Sequence, residues 1–206
     1  MALAAALNVA AAASAAELAG TVERLKGAAL RINGNATAAL NEGAEVYVDD
    51  VIDTGADAPL VIRFADASSR TLGGAARVRI DDLVFGGTAE PKQSLAYFEG
   101  VFQFVSGRIA QSRPEAVAFD TGVATIGIRG TDFLGGELTV GMPPGTSHIG
   151  FPIREGAIAV TNAFGSVTLD EPGEGTFIPL SGQAAPTPVR QWTSAEAAEA
   201  EDLLAF

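Results

Sequence analysis

Two aspartates are the residues best placed, by type and spacing, to do chemistry. Asp53 opens Asp53-Thr54-Gly55-Ala56 behind Val51-Ile52, and Asp120 opens Asp120-Thr121-Gly122 behind Val117-Ala118-Phe119. Two such carboxylates brought together share one proton, because like charges in contact cannot both ionise. The pair can then activate a water for amide hydrolysis. The same triplet is also ordinary turn chemistry, in which Asp caps the backbone and Gly supplies positive φ. The copies lie 67 residues apart, close for two separate lobes, and Val123 follows the second where a small residue would suit the dyad.

Other chemistries fare worse. With no cysteine, thiol catalysis, disulfides and Cys-ligated zinc are excluded. The single histidine, His148, rules out multi-His metal sites and lies in a Pro/Gly-rich run, Met142 to His148, without a Gly-x-Ser-x-Gly elbow. Neither lysine, Lys26 or Lys92, follows a phosphate-binding glycine run. The acidic pairs Asp49-Asp50 and Asp81-Asp82 lack the alternating oxygen ligands of a calcium loop and read as solvated turn residues. No catalytic, cofactor or metal site is expected. The net charge of −12 excludes a nucleic-acid partner, which needs clustered Lys and Arg.

The elements that must position these residues are strands. Short β-rich runs recur at Val46–Val48, Leu60–Phe64, Val78–Ile80, Val101–Val105, Ile126–Ile128, Leu138–Val140, Ile158–Val160 and Val167–Leu169, with Gly, Asp, Asn and Pro between them. No helical period persists in this region. The pattern predicts an all-β fold, a twisted two-layer β-solenoid-like or β-sandwich domain with a short C-terminal helix. Glu-Gly before a small apolar residue recurs at Glu42-Gly43-Ala44, Glu99-Gly100-Val101 and Glu155-Gly156-Ala157. This is either a repeat or a recurrent turn. Thr193-Ser194-Ala195-Glu196 predicts a capping box starting a helix from about Ser194 to Leu204, which either docks through Trp192, Leu203, Leu204 and Phe206 or frays. Residues 1–16 are small and apolar, with Ala13-Ser14-Ala15 as a signal-peptidase pattern, though no basic residue precedes the run. The expected organisation is a signal peptide over 1–16, shortened at its start, a β domain over 17–185, and a linker with helix over 186–206.

Three stretches carry a resemblance. Asp120-Thr121-Gly122-Val123-Ala124-Thr125-Ile126-Gly127-Ile128-Arg129-Gly130-Thr131-Asp132-Phe133 is similar to the "TP-x-A-x-[IV]-G-[IV]-RGT-x-F" signature of the FecR domain family, with Thr121-Gly122 standing for Thr-Pro. Gly43 through Val46, Asp53-Thr54-Gly55 and Leu60 through Ser68 look like that family's upstream run, with Ala67 where Gly is usual. Glu99-Gly100-Val101 with Gly107-Arg108 resembles the run before the signature. The resemblance covers about Gly20 to Leu180 and implies that both Asp-Thr-Gly copies are turns. Well-known members join this periplasmic domain to a transmembrane helix and a cytoplasmic anti-sigma segment, relaying a signal from an iron-siderophore receptor. Neither segment is recognisable here, so the resemblance implies a stand-alone exported domain.

The expected function is a non-catalytic extracytoplasmic interaction module, periplasmic or secreted. It would bind an envelope or surface protein or self-associate, with no nucleic acid and no integral membrane segment in the mature chain. Arg129, Gly130, Thr131, Asp132 and Phe133 are its structural signature. Arg129 through Asp132 read as a latch, in which an Arg fork ties adjacent turns, or as a partner contact. The alternative is a retropepsin-like aspartic peptidase using Asp53 and Asp120. That reading needs the two carboxylates within hydrogen-bond reach, in one chain or across a homodimer.

Overall fold

A computed structural model describes residues 17–84, 92–139 and 146–206. The expected signal peptide, Val140 and residues 142–145 lie outside them. The described chain is nearly all strand: β1 (Leu18–Leu25), β2 (Ala29–Asn33), β3 (Ala36–Ala39), β4 (Glu45–Tyr47), β5 (Val51–Thr54), β6 (Leu60–Phe64), β7 (Ser69–Leu72) and β8 (Arg77–Val84). After these come β9 (Lys92–Glu99), β10 (Val101–Val105), β11 (Val117–Asp120), β12 (Thr125–Glu137), β13 (His148–Asn162), β14 (Gly165–Leu169), β15 (Glu174–Pro179) and β16 (Arg190–Gln191). A one-turn helix α1 (Arg108–Ser112) and a 3-10 turn (Pro114–Ala116) precede β11, and α2 (Ser194–Asp202) ends the fold. No helix among the described residues is long and apolar enough to cross a membrane.

All strands join one large curled mixed sheet, with β12 at its fork. The first half of β12 pairs with β11 and the second half with β10, while β13 runs along the opposite edge. From β11 one wing continues through β9, β8, β5 and β2 to β3; from β10 the other runs through β7, β6 and β1 to β4. The β9–β11 pair is parallel. Alternation sends one face of each strand inward, so β6 buries Leu60, Ile62 and Phe64 while exposing Arg63. The wings close on a shared aromatic core. Phe119 of β11 stacks on Phe102 of β10 at 4.9 Å, and Phe133 of β12 meets both rings edge-on.

One buried polar bridge crosses between the wings. Arg70 on β7 is fully buried, its guanidinium 4.0 Å from the centre of the Phe119 ring and 5.2 Å from that of Phe104. Burial pushes its pKa well below the ordinary arginine value, against the opposing pull of Asp66. Asp66 accepts from the Ser68 backbone N–H and hydroxyl, and Gln93 of β9 donates to the same hydroxyl at 3.0 Å.

The structure differs from the sequence reading in strand length. β12 has 13 residues and β13 has 15, where short runs were expected. Their internal glycines and Pro152 mark bulges and close approaches within strands, not breaks between them. β12 also ends at Glu137, so Leu138 and Thr139 fall beyond it. Gly43, Gly100 and Gly156 all take positive φ, at 82°, 94° and 82°. They serve a turn, a corner between wings and a bulge respectively, so the Glu-Gly recurrence is one conformation reused in three topological settings.

The capping box forms as the spacing predicts. The Thr193 hydroxyl accepts from the Glu196 N–H, and the Glu196 carboxylate accepts from the Thr193 N–H at 2.8 Å. The helix packs through Ala200 and Leu204 on Val101, Leu134, Leu138 and Phe177. Trp192 stacks on Phe177 at 4.8 Å. Leu203 stays largely exposed, while Phe206 lies under the Arg24 guanidinium at 4.0 Å.

Candidate functional site

The signature residues sit where β12 passes from one wing to the other. Register runs Arg129↔Ala157, then Asp132↔Glu155, so β12 carries one extra residue there. That bulge is built on Gly130, whose φ of 56° favours glycine. Opposite it, a Cβ on Gly156 would lie 2.0 Å from the Gly130 carbonyl oxygen, so the two glycines let the backbones close.

Thr131 makes the ties at this fork. Its buried hydroxyl donates to the Ala157 carbonyl of β13 at 2.7 Å and accepts from the Arg129 N–H at 3.2 Å. Its own N–H donates to the Ser106 hydroxyl at 2.6 Å, and its carbonyl accepts from the Ser106 N–H at 2.9 Å. Ser106 follows β10, so one threonine binds the end of the second wing, the bulge and β13 together. Asp132 accepts from Gln103 of β10 at 2.7 Å. Phe133 points into the aromatic core. The Arg129 side chain is exposed and makes no hydrogen bond or ion pair among the described residues.

Arg129 instead overlooks a groove of about 690 Å³ on the outer face of the sheet. Its floor follows from register. Ala118, Gly127, Ala159 and Thr168 stand side by side on β11, β12, β13 and β14. In the neighbouring row Ala157 stands between Arg129 and, just past the end of β14, Asp170. Small side chains across four strands leave a trough, walled at the β11 end by Pro114 and Glu115 of the 3-10 turn. Glu115 is paired with Arg113 at 3.4 Å. Arg129 and Asp170 flank the floor two strand spacings apart, roughly 10 Å. The sequence reading marked Arg129 but not this groove; the only advance signal was the alternation of small residues around Gly127 and Ala159.

The two candidate aspartates are not brought together within the chain. Asp53 and Asp120 lie on β5 and β11, separated by β8 and β9, which is about 14 Å along the sheet. Both side chains face outward, while Ile52 and Phe119 beside them face the core. Asp53 is ion-paired with Arg77 at 2.7 Å, and Asp120 accepts from the Gly122 N–H at 2.7 Å. In each triplet the threonine is the buried member. Thr54 donates to the Gly73 carbonyl at 2.7 Å, and Thr121 to the Ala124 carbonyl at 2.9 Å. Thr121 therefore closes its own turn, whereas Thr54 ties its corner to the Gly73–Ala76 segment between β7 and β8.

Among the acidic pairs, Asp50, Asp81 and Asp82 are also engaged. Asp50 is buried, accepting from the Tyr47 N–H at 2.7 Å and from Asn33 at 3.0 Å. Asp81 pairs with Arg79, and Asp82 with Lys92 at 2.7 Å. His148 opens β13 opposite Pro179.

No family model matches the chain, and no curated protein matches it. Two crystal structures of a candidate anti-sigma factor from Parabacteroides distasonis ATCC 8503, at 1.65 and 2.50 Å resolution, share its fold. Each superposes with a TM-score of 0.53 over 72% of this chain, at 14% and 13% identity. The chain spans 62% of the length of either neighbour.

Proposed function

We propose that the chain is a non-catalytic, extracytoplasmic FecR-like module that holds a segment of a partner protein and serves a signalling-related role. The observation that carries this reading is the groove: a floor of small residues in register across four strands, overlooked by a signature arginine with no hydrogen-bond or ion-pair partner among the described residues. A shallow, open trough suits an extended chain better than a small molecule, which is normally enclosed. Arg129 and Asp170 on either side of Ala157 select a segment presenting an acidic and a basic side chain. The fold shared with the candidate anti-sigma factor supports a regulatory setting, and the exported location rests on the sequence.

The test is selective loss of binding to envelope proteins. Gly127 has open space above it, since an added Cβ meets only Ala159, at 3.9 Å and beyond. Gly127→Leu therefore fills the groove without disturbing the core, and Arg129→Glu reverses its charge. A partner captured by the wild-type chain is expected to be lost with both variants and kept by Arg63→Ala, on an outer face of the other wing. Equal capture by all four proteins refutes the groove as the site. The peptidase alternative is tested on the same preparation. Pepstatin-sensitive cleavage near pH 4 that disappears in Asp53→Asn would establish a dyad across two copies; no such cleavage is expected.

A further inference from the structure

The two ends of the curled sheet are treated differently. At β4 the outer edge is already occupied: the Glu45 carbonyl accepts from Arg31, and the Tyr47 N–H donates to Asp50. At β3 there is no such cover. All four of its residues, Ala36, Thr37, Ala38 and Ala39, are exposed and uncharged. β3 pairs with β2 in the register Arg31↔Ala38 and Asn33↔Ala36, and the Leu40 N–H donates to the Ala29 carbonyl. Hydrogen-bonded positions alternate along an antiparallel pair, so Ala36 and Ala38 direct their backbone groups to β2. Thr37 and Ala39 direct theirs outward, where no partner lies among the described residues.

From this we infer that the β3 edge pairs with the β3 edge of a second copy of this chain, antiparallel about a two-fold axis at Ala38. The pattern is self-complementary. In that register Thr37 faces the partner copy's Ala39 and Ala39 faces its Thr37, which satisfies all the outward groups on both copies. A register centred on Thr37 or Ala39 would leave some of them unmet. The side chains admit the approach, because nothing larger than threonine meets across the axis. Charge points to the same occupant. The chain carries −12, so copies repel in general, but this edge contributes no charge of its own. The free edge of β14 is unlike it, ending at Asp170 and Glu171 with Glu174 close by, which opposes self-pairing. The contact is isologous, so it closes at two copies instead of growing into a fibre. Four residues per copy bury far less than the ~1,200 Å² of a standard stable interface, so the dimer is weak and concentration-dependent. The contact lies at the far end of the wing from the groove and does not depend on what the groove binds.

Sedimentation equilibrium of the full chain is expected to show mass rising from one copy towards two as concentration rises. Ala39→Pro removes an outward N–H while sparing those bonded to β2, so it is expected to stay monomeric with an unchanged melting temperature. A second arm uses the absence of native cysteine. At the axis the Ala38 Cα atoms would sit about 4.5 Å apart, within disulfide range, whereas the Ala36 pair would be on the order of 14 Å apart. Under diamide, Ala38→Cys is expected to crosslink at least about tenfold faster than Ala36→Cys; this ratio decides the matter should the proline variant fail to fold. A single-copy mass at all concentrations, dimerisation of Ala39→Pro like the wild type, or equal crosslinking at both positions would overturn the inference.

Discussion

Removing the Thr131 hydroxyl should weaken the fold, because that hydroxyl ties the β12 bulge to β13 at the fork of the sheet. Thr131→Val keeps the side-chain shape and deletes two hydrogen bonds, one to the Ala157 carbonyl at 2.7 Å and one from the Arg129 N–H at 3.2 Å. Thr131 is only 2% exposed, so water does not readily replace the lost partner. Leaving a buried acceptor unmet costs about 1–2 kcal/mol, and the longer, more exposed Arg129 bond adds about 0.5–1 kcal/mol. The sum is about 1.5–3 kcal/mol. For a domain of this size that corresponds to a fall in melting temperature of roughly 3–12 °C. Thr131→Ser keeps both bonds and should fall by no more than about 1 kcal/mol, the loss of one buried methyl. Urea unfolding followed by circular dichroism measures both. If Thr131→Val loses less than about 0.5 kcal/mol, or Thr131→Ser loses as much as the valine variant, the threonine is only filling space and the latch account fails.

Two further perturbations probe the polar contacts that hold the fold together. The Arg190 guanidinium, at 2.5 Å, and the Thr193 bonds hold the Glu196 carboxyl down at about 2, well below its ordinary value of 4.5. A depressed carboxylate stabilises above its unfolded pKa and loses that contribution as pH falls through the folded one. Helix docking should therefore weaken between about pH 4.5 and 2, seen as a change in the emission of Trp192, the single tryptophan. Glu196→Gln should abolish that transition, and an unchanged transition would assign it elsewhere. Arg70→Met should destabilise by roughly 1–3 kcal/mol, because it removes the positive charge whose attraction offsets the burial of Asp66, although no hydrogen bond joins the two side chains. Arg70→Met with Asp66→Asn should recover part of that loss in the same urea experiment, and no recovery would show that the two residues are not coupled.

The sequence alone determined features governed by neighbouring residues. Alternating apolar residues predicted the all-β class, because strand faces follow a period of two whatever the partner strand. The Thr193–Glu196 spacing predicted the capped helix, because those bonds close within one turn. The Glu-Gly recurrence at Gly43, Gly100 and Gly156 was visible in the sequence, and all three take positive φ because backbone sterics are local. Tertiary structure decided the rest. Gly130, Gly150 and Pro152 lie outside the short runs the sequence shows, yet β12 and β13 run through them because long-range pairing offsets a locally poor strand residue. The same pairing set the roles in the signature. Arg129 and Thr131 are near neighbours in sequence, but Thr131 reaches Ala157 and Ser106, more than twenty residues away on either side, and only the fold brings those oxygens within reach. Arg129 is left facing outward over a floor assembled from four strands, and a floor made by register has no continuous sequence to announce it. Arg70 shows the same limit: one arginine amid strand residues reads as solvent-facing, and it is buried because the second wing folds over it.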